Sequence, residues 1–318
     1  MNVRIGAIGV GHWHAPRHLD SFVAAGAAVV AVCADEPGAA EQWARRLGAR
    51  AYDDHRKLLR DGGLDLVLAM PRHRDGPALL ADLTSTGLPF VVEKPAATTA
   101  DDLLPHVLTV EASGQFAAVP FVNRYSAFWP RLRDLCPGPV STARFRIVNG
   151  PPDRYVNDGV AWVLDPEISG GGALRNLGTH TVDAYLTVAQ EPVEVLGSAF
   201  TNRLHGLAVE EHAVALLRDA AGLIGVVEAG YSRPDTDGTD HEWCVAGAGG
   251  YLRELHDQLE VVTSDSIDVV ESPSVMHRYQ LFAEDVLRRL AVGAPPPITL
   301  RDCWRAVELI DRIYASAR

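Results

Sequence analysis

A chain of 318 residues exceeds the size at which one hydrophobic core keeps growing, so two domains are expected. With 47% apolar and 22% charged residues the composition is that of a folded globular protein, not a disordered one. A formal net charge of −12 argues against nucleic acid and against an anionic membrane surface, since both need clustered Lys and Arg, and leaves a small molecule as the expected partner.

Residues 3–8 read as a first strand, followed by Gly9-Val10-Gly11-His12-Trp13-His14 and a helical pattern through Leu19, Phe22 and Val23. A strand, a glycine-rich turn and a helix N-terminus make a phosphate cradle, with backbone N–H groups and the helix dipole directed at an anion. Gly9 is suited to the tight turn and Gly11 to close approach of a pyrophosphate, while His14 stands where the dinucleotide fingerprint has its third glycine. A second strand, 28–33, leads to Asp35, which lies 26 residues after Gly9. A carboxylate there accepts from the hydroxyls of an adenosine ribose and repels a 2′-phosphate. Glu36 follows and no arginine stands beside it, which favours NAD over NADP. Asp35 equally suits the N-cap of a helix over 39–47, with Pro37 where a first turn tolerates it.

A third strand, 64–69, exits through Met70-Pro71 into Arg72-His73-Arg74-Asp75 and a helix to about Thr86. The apolar run from Leu88 to Val92 ends in Glu93-Lys94-Pro95, and a helix over 99–113 and a strand over 116–121 follow. Strands alternating with helices predict an α/β fold with a doubly wound parallel sheet, and the boundary of this domain is placed after residue 122. Only Lys57 and Lys94 are lysines, so Lys94 keeps the one basic side chain that can lose its proton when desolvated. Pro95 drives Lys94 into extended geometry, which puts it at the carboxyl end of its strand, where an open parallel sheet binds ligands. A strand-end lysine paired with Glu93 for solubility is the plainer alternative.

The pattern changes over 123–318. Residues 139–148 alternate as a strand, a loop carries Tyr155, Asn157 and Trp162, and Gly170-Gly171-Gly172 opens a helix over 173–188. Strands over 193–201, 210–218, 223–231 and 242–246, with a hairpin turn at 219–222, predict a mostly antiparallel sheet. Amphipathic helices over 275–291 and 300–315 close the chain. Asn176, His180 and Asp183, spaced i, i+4 and i+7, share one helix face, where an imidazole with a carboxylate one turn away can carry a proton. A core histidine satisfied by Asp183 is the competing reading. Three consecutive glycines imply that another backbone, or a ligand, comes close. The four cysteines have no paired spacing, and the N-terminus enters a strand with no basic region or 18-residue apolar span. A reducing, cytoplasmic setting without signal peptide or membrane helix is therefore expected.

These motifs together resemble the Gfo/Idh/MocA oxidoreductases, named for glucose-fructose oxidoreductase and inositol dehydrogenase. The resemblance runs through Gly9-x-Gly11, Asp35, Glu93-Lys94-Pro95, Asn123-Arg124-Tyr125, Trp162 to Pro166, Gly170-Gly171-Gly172 through Gly178-x-His180-x-x-Asp183, and Ile313-Tyr314-Ala315-Ser316. It implies a Rossmann domain, a second α/β domain with an open sheet that makes a homo-oligomer, a dimer or tetramer, and NAD(P)-dependent oxidation or reduction at a carbinol carbon of a sugar or cyclitol. Lys94 would bind the reacting oxygen and the nicotinamide ribose, and His180 would exchange the proton. Asn176 stands where the family often has Asp, and Asp75 where it often has His.

The cofactor is accordingly expected on Gly9, Gly11, His12 and Trp13 of the first turn, on Asp35, on Pro71 and His73, and on Glu93, Lys94 and Pro95. Catalysis is expected from Lys94, His180 and Asn176, with Arg124, Tyr155 and Trp162 joining Asn176 and His180 on the substrate. His12, His14 and His18 cluster, but no acidic residue or cysteine stands with them and the same loop serves the cofactor, so no metal is expected. The alternatives are a cofactor-bound sensor without turnover, which Asn176 favours, and an NAD-assisted elimination on a glycoside.

Overall fold

The structure, a computed structural model, describes residues 3–36, 38–235 and 238–317; Pro37, expected in the first turn of a helix, lies outside them. The chain divides into two compact units, Met1–Pro120 with Met276–Trp304, and Phe121–Val275 with Arg305–Arg318. The sequence pattern places everything after residue 122 in the second domain. Residues 276–304 return to the first unit because their helix, Val275–Ala291, buries Tyr279, Phe282, Ala283 and Val286, and because the chain beyond it extends the first sheet, with the Val119 N–H donating to the Ile298 carbonyl.

The first unit holds a six-stranded, wholly parallel sheet in the order β3-β2-β1-β4-β5-β6. The strands are β1 (Arg4–Ile8), β2 (Ala28–Cys33), β3 (Arg50–Tyr52), β4 (Leu66–Ala69), β5 (Phe90–Val92) and β6 (Ala117–Ala118). Both faces of such a sheet are covered by helices, which is why β4 and β5 are buried at every residue. Register decides what the carboxyl edge presents. Ile8 pairs level with Cys33 and with Ala69, and Ala69 with Val92, so Gly9, Asp35, the Met70-Pro71-Arg72 exit and Glu93-Lys94 all leave the sheet along one edge.

The second unit is an eight-stranded sheet in the order β14-β13-β12-β11-β7-β10-β9-β8. It runs β7 (Val140–Asn149), β8 (Glu194–Thr201), β9 (His212–Arg218), β10 (Ile224–Gly230), β11 (Thr239–Gly247), β12 (Gly250–Leu255), β13 (Gln258–Val262) and β14 (Ile267–Glu271). All its pairings are antiparallel except β10 with β7. Burial alternates along β9 and β10, and the helix Thr179–Val188 covers the apolar face, its Tyr185 ring lying where a Cβ on Gly225 would be. The other face exposes Leu216 and Ile224 and carries the charged groups Arg144, Arg146, Glu228, Glu242 and Arg253 in mutual ion pairs. Among the described residues no helix is long and apolar enough to cross a membrane.

Candidate active site

In the first unit the turn after β1 fits a dinucleotide phosphate in one respect and departs from expectation in another. A Cβ on Gly9, whose φ is +76°, would run into the Met70 carbonyl, so only glycine lets the loop lie this close to the exit of β4, while one on Gly11 would meet the Glu36 carboxylate. The turn is, however, closed on itself. The Gly9 and Val10 N–H groups donate to the Cys33 carbonyl, His12 N–H to Gly9, Ala15 N–H to His12, and His14 N–H to the His12 Nδ1. The helix Ala15–Ala24 thus begins from a folded hairpin of backbone, with Pro16 contributing no donor to its first turn. Trp43 donates its indole N–H to the Val10 carbonyl at 3.0 Å and pins the loop from the next helix, Ala39–Leu47. Trp13 lies half-buried and stacks on His12 with ring centroids 3.8 Å apart.

Asp35 does not cap the Ala39–Leu47 helix, since Gly38 holds that position. Its carboxylate is 79% exposed and meets Arg72 Nη2 at 3.5 Å. The sequence shows no arginine beside Asp35, and the alignment of β2 with β4 through β1 supplies one. Pro71 is half-buried at the same exit, and His73 is buried in the short turn that follows.

Lys94 sits just past β5 with 3% of its surface exposed. Burial pulls its pKa down, against the raising fields of Glu93 and Cys303 and with a further lowering from Arg17. The chain then turns sharply at Pro95-Ala96, with Ala96 at φ +64°; Gly76 is required opposite, because a Cβ there would strike the Ala96 carbonyl. The Cys303 thiol donates to the Pro95 carbonyl at 3.2 Å, tying that turn to the last segment of the unit.

Glu93, expected on the cofactor, meets two histidines. Its carboxylate oxygens accept from His14 Nδ1 at 3.0 Å and His18 Nε2 at 2.6 Å, all three side chains being buried. Glu93 thereby ties the exit of β5 to the first helix, Ala15–Ala24, which carries His18 and follows His14. The histidine cluster therefore does have an acidic companion, brought from 75 residues away, and the three donors lie within 4.8 Å of one another. Three donors are one short of a structural zinc centre, and the distances are those of charge-assisted hydrogen bonds. Burial pushes His14 down to about 3 despite the raising pull of Glu93, and holds His12 well below the ordinary imidazole value. Burial opposes ionisation of Glu93, but the His14 and His18 contacts outweigh it and keep the group a carboxylate.

In the second unit the triple glycine meets protein. A Cβ on Gly172 would strike the Glu210 carbonyl and one on Gly171, at φ +149°, the Tyr314 hydroxyl. The Glu210 carboxylate accepts from the N–H groups of Gly172 and Leu174 at 2.9 and 3.0 Å and from the Tyr314 hydroxyl at 2.7 Å. The chain then forms a π-turn, Leu174–Gly178, before the α-helix Thr179–Val188. A π-turn is wider than an α-turn, so Asn176 is rotated relative to the face that an unbroken helix would give it.

Each of the three residues expected on one helix face makes a contact of its own. Asn176, 2% exposed, donates its amide to the hydroxyls of Tyr155 at 2.9 Å and Tyr231 at 3.0 Å. His180 lies half-buried with its ring edge-on to Phe121. Asp183 receives Arg124 through both oxygens, at 3.0 and 2.6 Å. Arg124 and Tyr155, both expected on the substrate wall, meet Asp183 and Asn176, two further residues of the second unit. Trp162 is half-buried on a short 3-10 turn, Ala161–Leu164.

Residues 3–121 match the model of an oxidoreductase family with an NAD-binding Rossmann fold, and residues 137–253 match the GFO/IDH/MocA C-terminal domain. The chain belongs to the Gfo/Idh/MocA family. Among its Gfo/Idh/MocA relatives is a D-xylose 1-dehydrogenase (NADP(+)) of Haloferax volcanii, 24% identical over 84% of this chain and 82% of the relative. A levoglucosan dehydrogenase solved with NADH and levoglucosan superposes with a TM-score of 0.88 at 18% identity, covering 100% of this chain and 97% of that one. The WlbA dehydrogenase of Bordetella pertussis, solved with NADH and UDP-GlcNAcA, gives 0.85 at 20% identity over 100% and 96%.

Within this Gfo/Idh/MocA chain, Trp43, Tyr231 and Glu210 are given no site role by the sequence, and Tyr314 appears there only as part of the closing motif. Tyr231 carried a weak signal as the aromatic end of a predicted strand. The others act through partners 33 or more residues away, and no spacing announces them.

Proposed function

We propose that the protein moves a hydride between NAD and a carbinol carbon of a polyhydroxylated small molecule, a sugar, a sugar derivative or a cyclitol. What supports this most is Lys94: a buried cation of lowered pKa at the carboxyl edge of a parallel sheet, in a family of NAD-binding oxidoreductases. Bound NAD would supply the hydride acceptor. In the oxidation the ammonium of Lys94 holds the substrate oxygen and stabilises the negative charge it develops, where a desolvated cation acts strongly. The His180 imidazole takes the hydroxyl proton as the carbon releases its hydrogen with the electron pair and the C=O bond forms; in the reduction it returns the proton. Asn176, its amide fixed by Tyr155 and Tyr231, orients a substrate hydroxyl and takes no proton. Trp162 serves the substrate wall.

The substrate and ligands for which those relatives are named, xylose, levoglucosan and a nucleotide sugar acid, are all carbohydrates, which agrees with this substrate class. Asp35 and Glu36 favour NAD. The Haloferax relative is named for NADP, so the preference belongs to this chain's own carboxylates. The exposed face of the second sheet is assigned to a homo-oligomer contact, a dimer or tetramer. A sensor that binds cofactor and sugar without turnover is the second reading, favoured by Asn176 in its buried tyrosine setting.

The test is a screen of sugars, sugar acids and inositols with NAD+, following the absorbance of reduced nicotinamide. Turnover of at least one polyol supports the oxidoreductase. Silence across the panel, with a ligand that still shifts NAD affinity, would select the sensor.

A further inference from the structure

We propose that Arg72 is the receptor for the 2′-phosphate of NADP, so that the chain binds both nicotinamide nucleotides. This rests on the cofactor reading above and refines it.

The register argument places Arg72 where the sequence could not. Ile8 of β1 is level with Cys33 of β2 on one side and Ala69 of β4 on the other. Asp35 follows Cys33 and Arg72 follows Ala69, so the two flank the exit of β1, from which the Gly9-to-Gly11 turn departs. The guanidinium is anchored from one side: its Nε donates to Asp75 Oδ2 at 2.7 Å, three residues on in the same turn. Its Nη2 faces Asp35 at the looser 3.5 Å. Asp75 also meets Arg74 at 3.7 Å, and the Glu36 carboxylate lies against Gly11.

The two contacts of Arg72 differ in how easily they yield. With Asp35 79% exposed and Arg72 35% exposed, their pairing is a surface ion pair, worth about 0–1 kcal/mol in water. A phosphate dianion offers more charge and a fork of acceptor oxygens that matches guanidinium. Arg72 can exchange Asp35 for the phosphate while Asp75 keeps it in place. With NAD there is no phosphate; Arg72 stays on Asp35 and offsets its charge, and the carboxylate is still able to accept from the ribose hydroxyls. Asp35 alone would set a steep preference for NAD, and Arg72 flattens it.

Binding, without turnover, tests this. NADH and NADPH are titrated against the native chain, Arg72→Ala, Arg72→Lys and Asp35→Ala, following tryptophan quenching and nicotinamide fluorescence, with far-UV circular dichroism as the folding control. The native dissociation constants should lie within about tenfold of each other, and Arg72→Ala should weaken NADPH about tenfold or more while changing NADH less than about threefold. Arg72→Lys keeps the charge and should retain part of the NADPH affinity. Asp35→Ala should tighten NADPH. If Arg72→Ala leaves the ratio unchanged or weakens both nucleotides alike, or if the native chain binds NADH and no NADPH, the inference is overturned and the NAD reading stands. A native chain that binds neither overturns both.

Discussion

The buried pairing of His14 with Glu93 should make the first unit acid-labile, and His14→Gln should remove part of that lability. Burial takes His14 from an ordinary 6.5 to about 3, so below pH 6.5 the unfolded chain gains a proton that the native state refuses. Stability then falls as pH drops from 6.5 toward about 3, by about 1.4 kcal/mol per unit at most. Between pH 6.5 and 5 this amounts to about 2 kcal/mol. Glu93, its pKa depressed below an ordinary 4.5, adds a loss of the same sign at lower pH, because its stabilising contacts require the carboxylate. Gln at position 14 can still donate to Glu93 but does not titrate. Urea unfolding of native protein and variant, from about pH 7 to pH 5, should show native stability declining more steeply, with the difference near 2 kcal/mol at the acid end. Parallel declines would mean that His14 is protonated in the native state, and the account of the buried pair would be wrong.

Lys94→Ala should lower turnover on the order of 10²-fold or more with circular dichroism unchanged, as for other groups that stabilise charge at a reacting atom; near-native turnover would remove Lys94 from the mechanism. The oxidation rate should rise with pH through the imidazole titration, and His180→Ala should flatten that limb; a variant that keeps it places the proton acceptor elsewhere. Gly171→Ala forces a side chain into φ +149° and onto the Tyr314 hydroxyl, and should cost about 1–3 kcal/mol of stability in thermal melts, while an unchanged melting temperature would show that the turn relaxes freely.

The parallel sheet was legible in the sequence because it is written in local pattern: apolar runs at 28–33, 64–69 and 88–92, each followed by a turn signal and a helical period. The placement of Lys94 at a strand end was legible for the same reason, since Pro95 acts on its immediate neighbour. Elements with little pattern were missed. β3 has three residues, and β12 to β14 carry polar and charged residues at many positions, with much of β14 exposed, so no apolar period stands out. Partners were not legible at all. Glu93 reaches His18 across 75 residues, Arg124 reaches Asp183 across 59, and Arg72 meets Asp35 because both strands align on β1. Asn176 lies in a π-turn just after the three glycines, where the Glu210 carboxylate accepts from the Gly172 and Leu174 N–H groups, and the helical period of the sequence contains no mark of it. Local sequence determined which residues enter strands and helices, through propensity and periodicity over a few positions. Only the packed chain decided which side chains face each other, because that depends on strand register and on backbone approaches between segments that are distant in sequence.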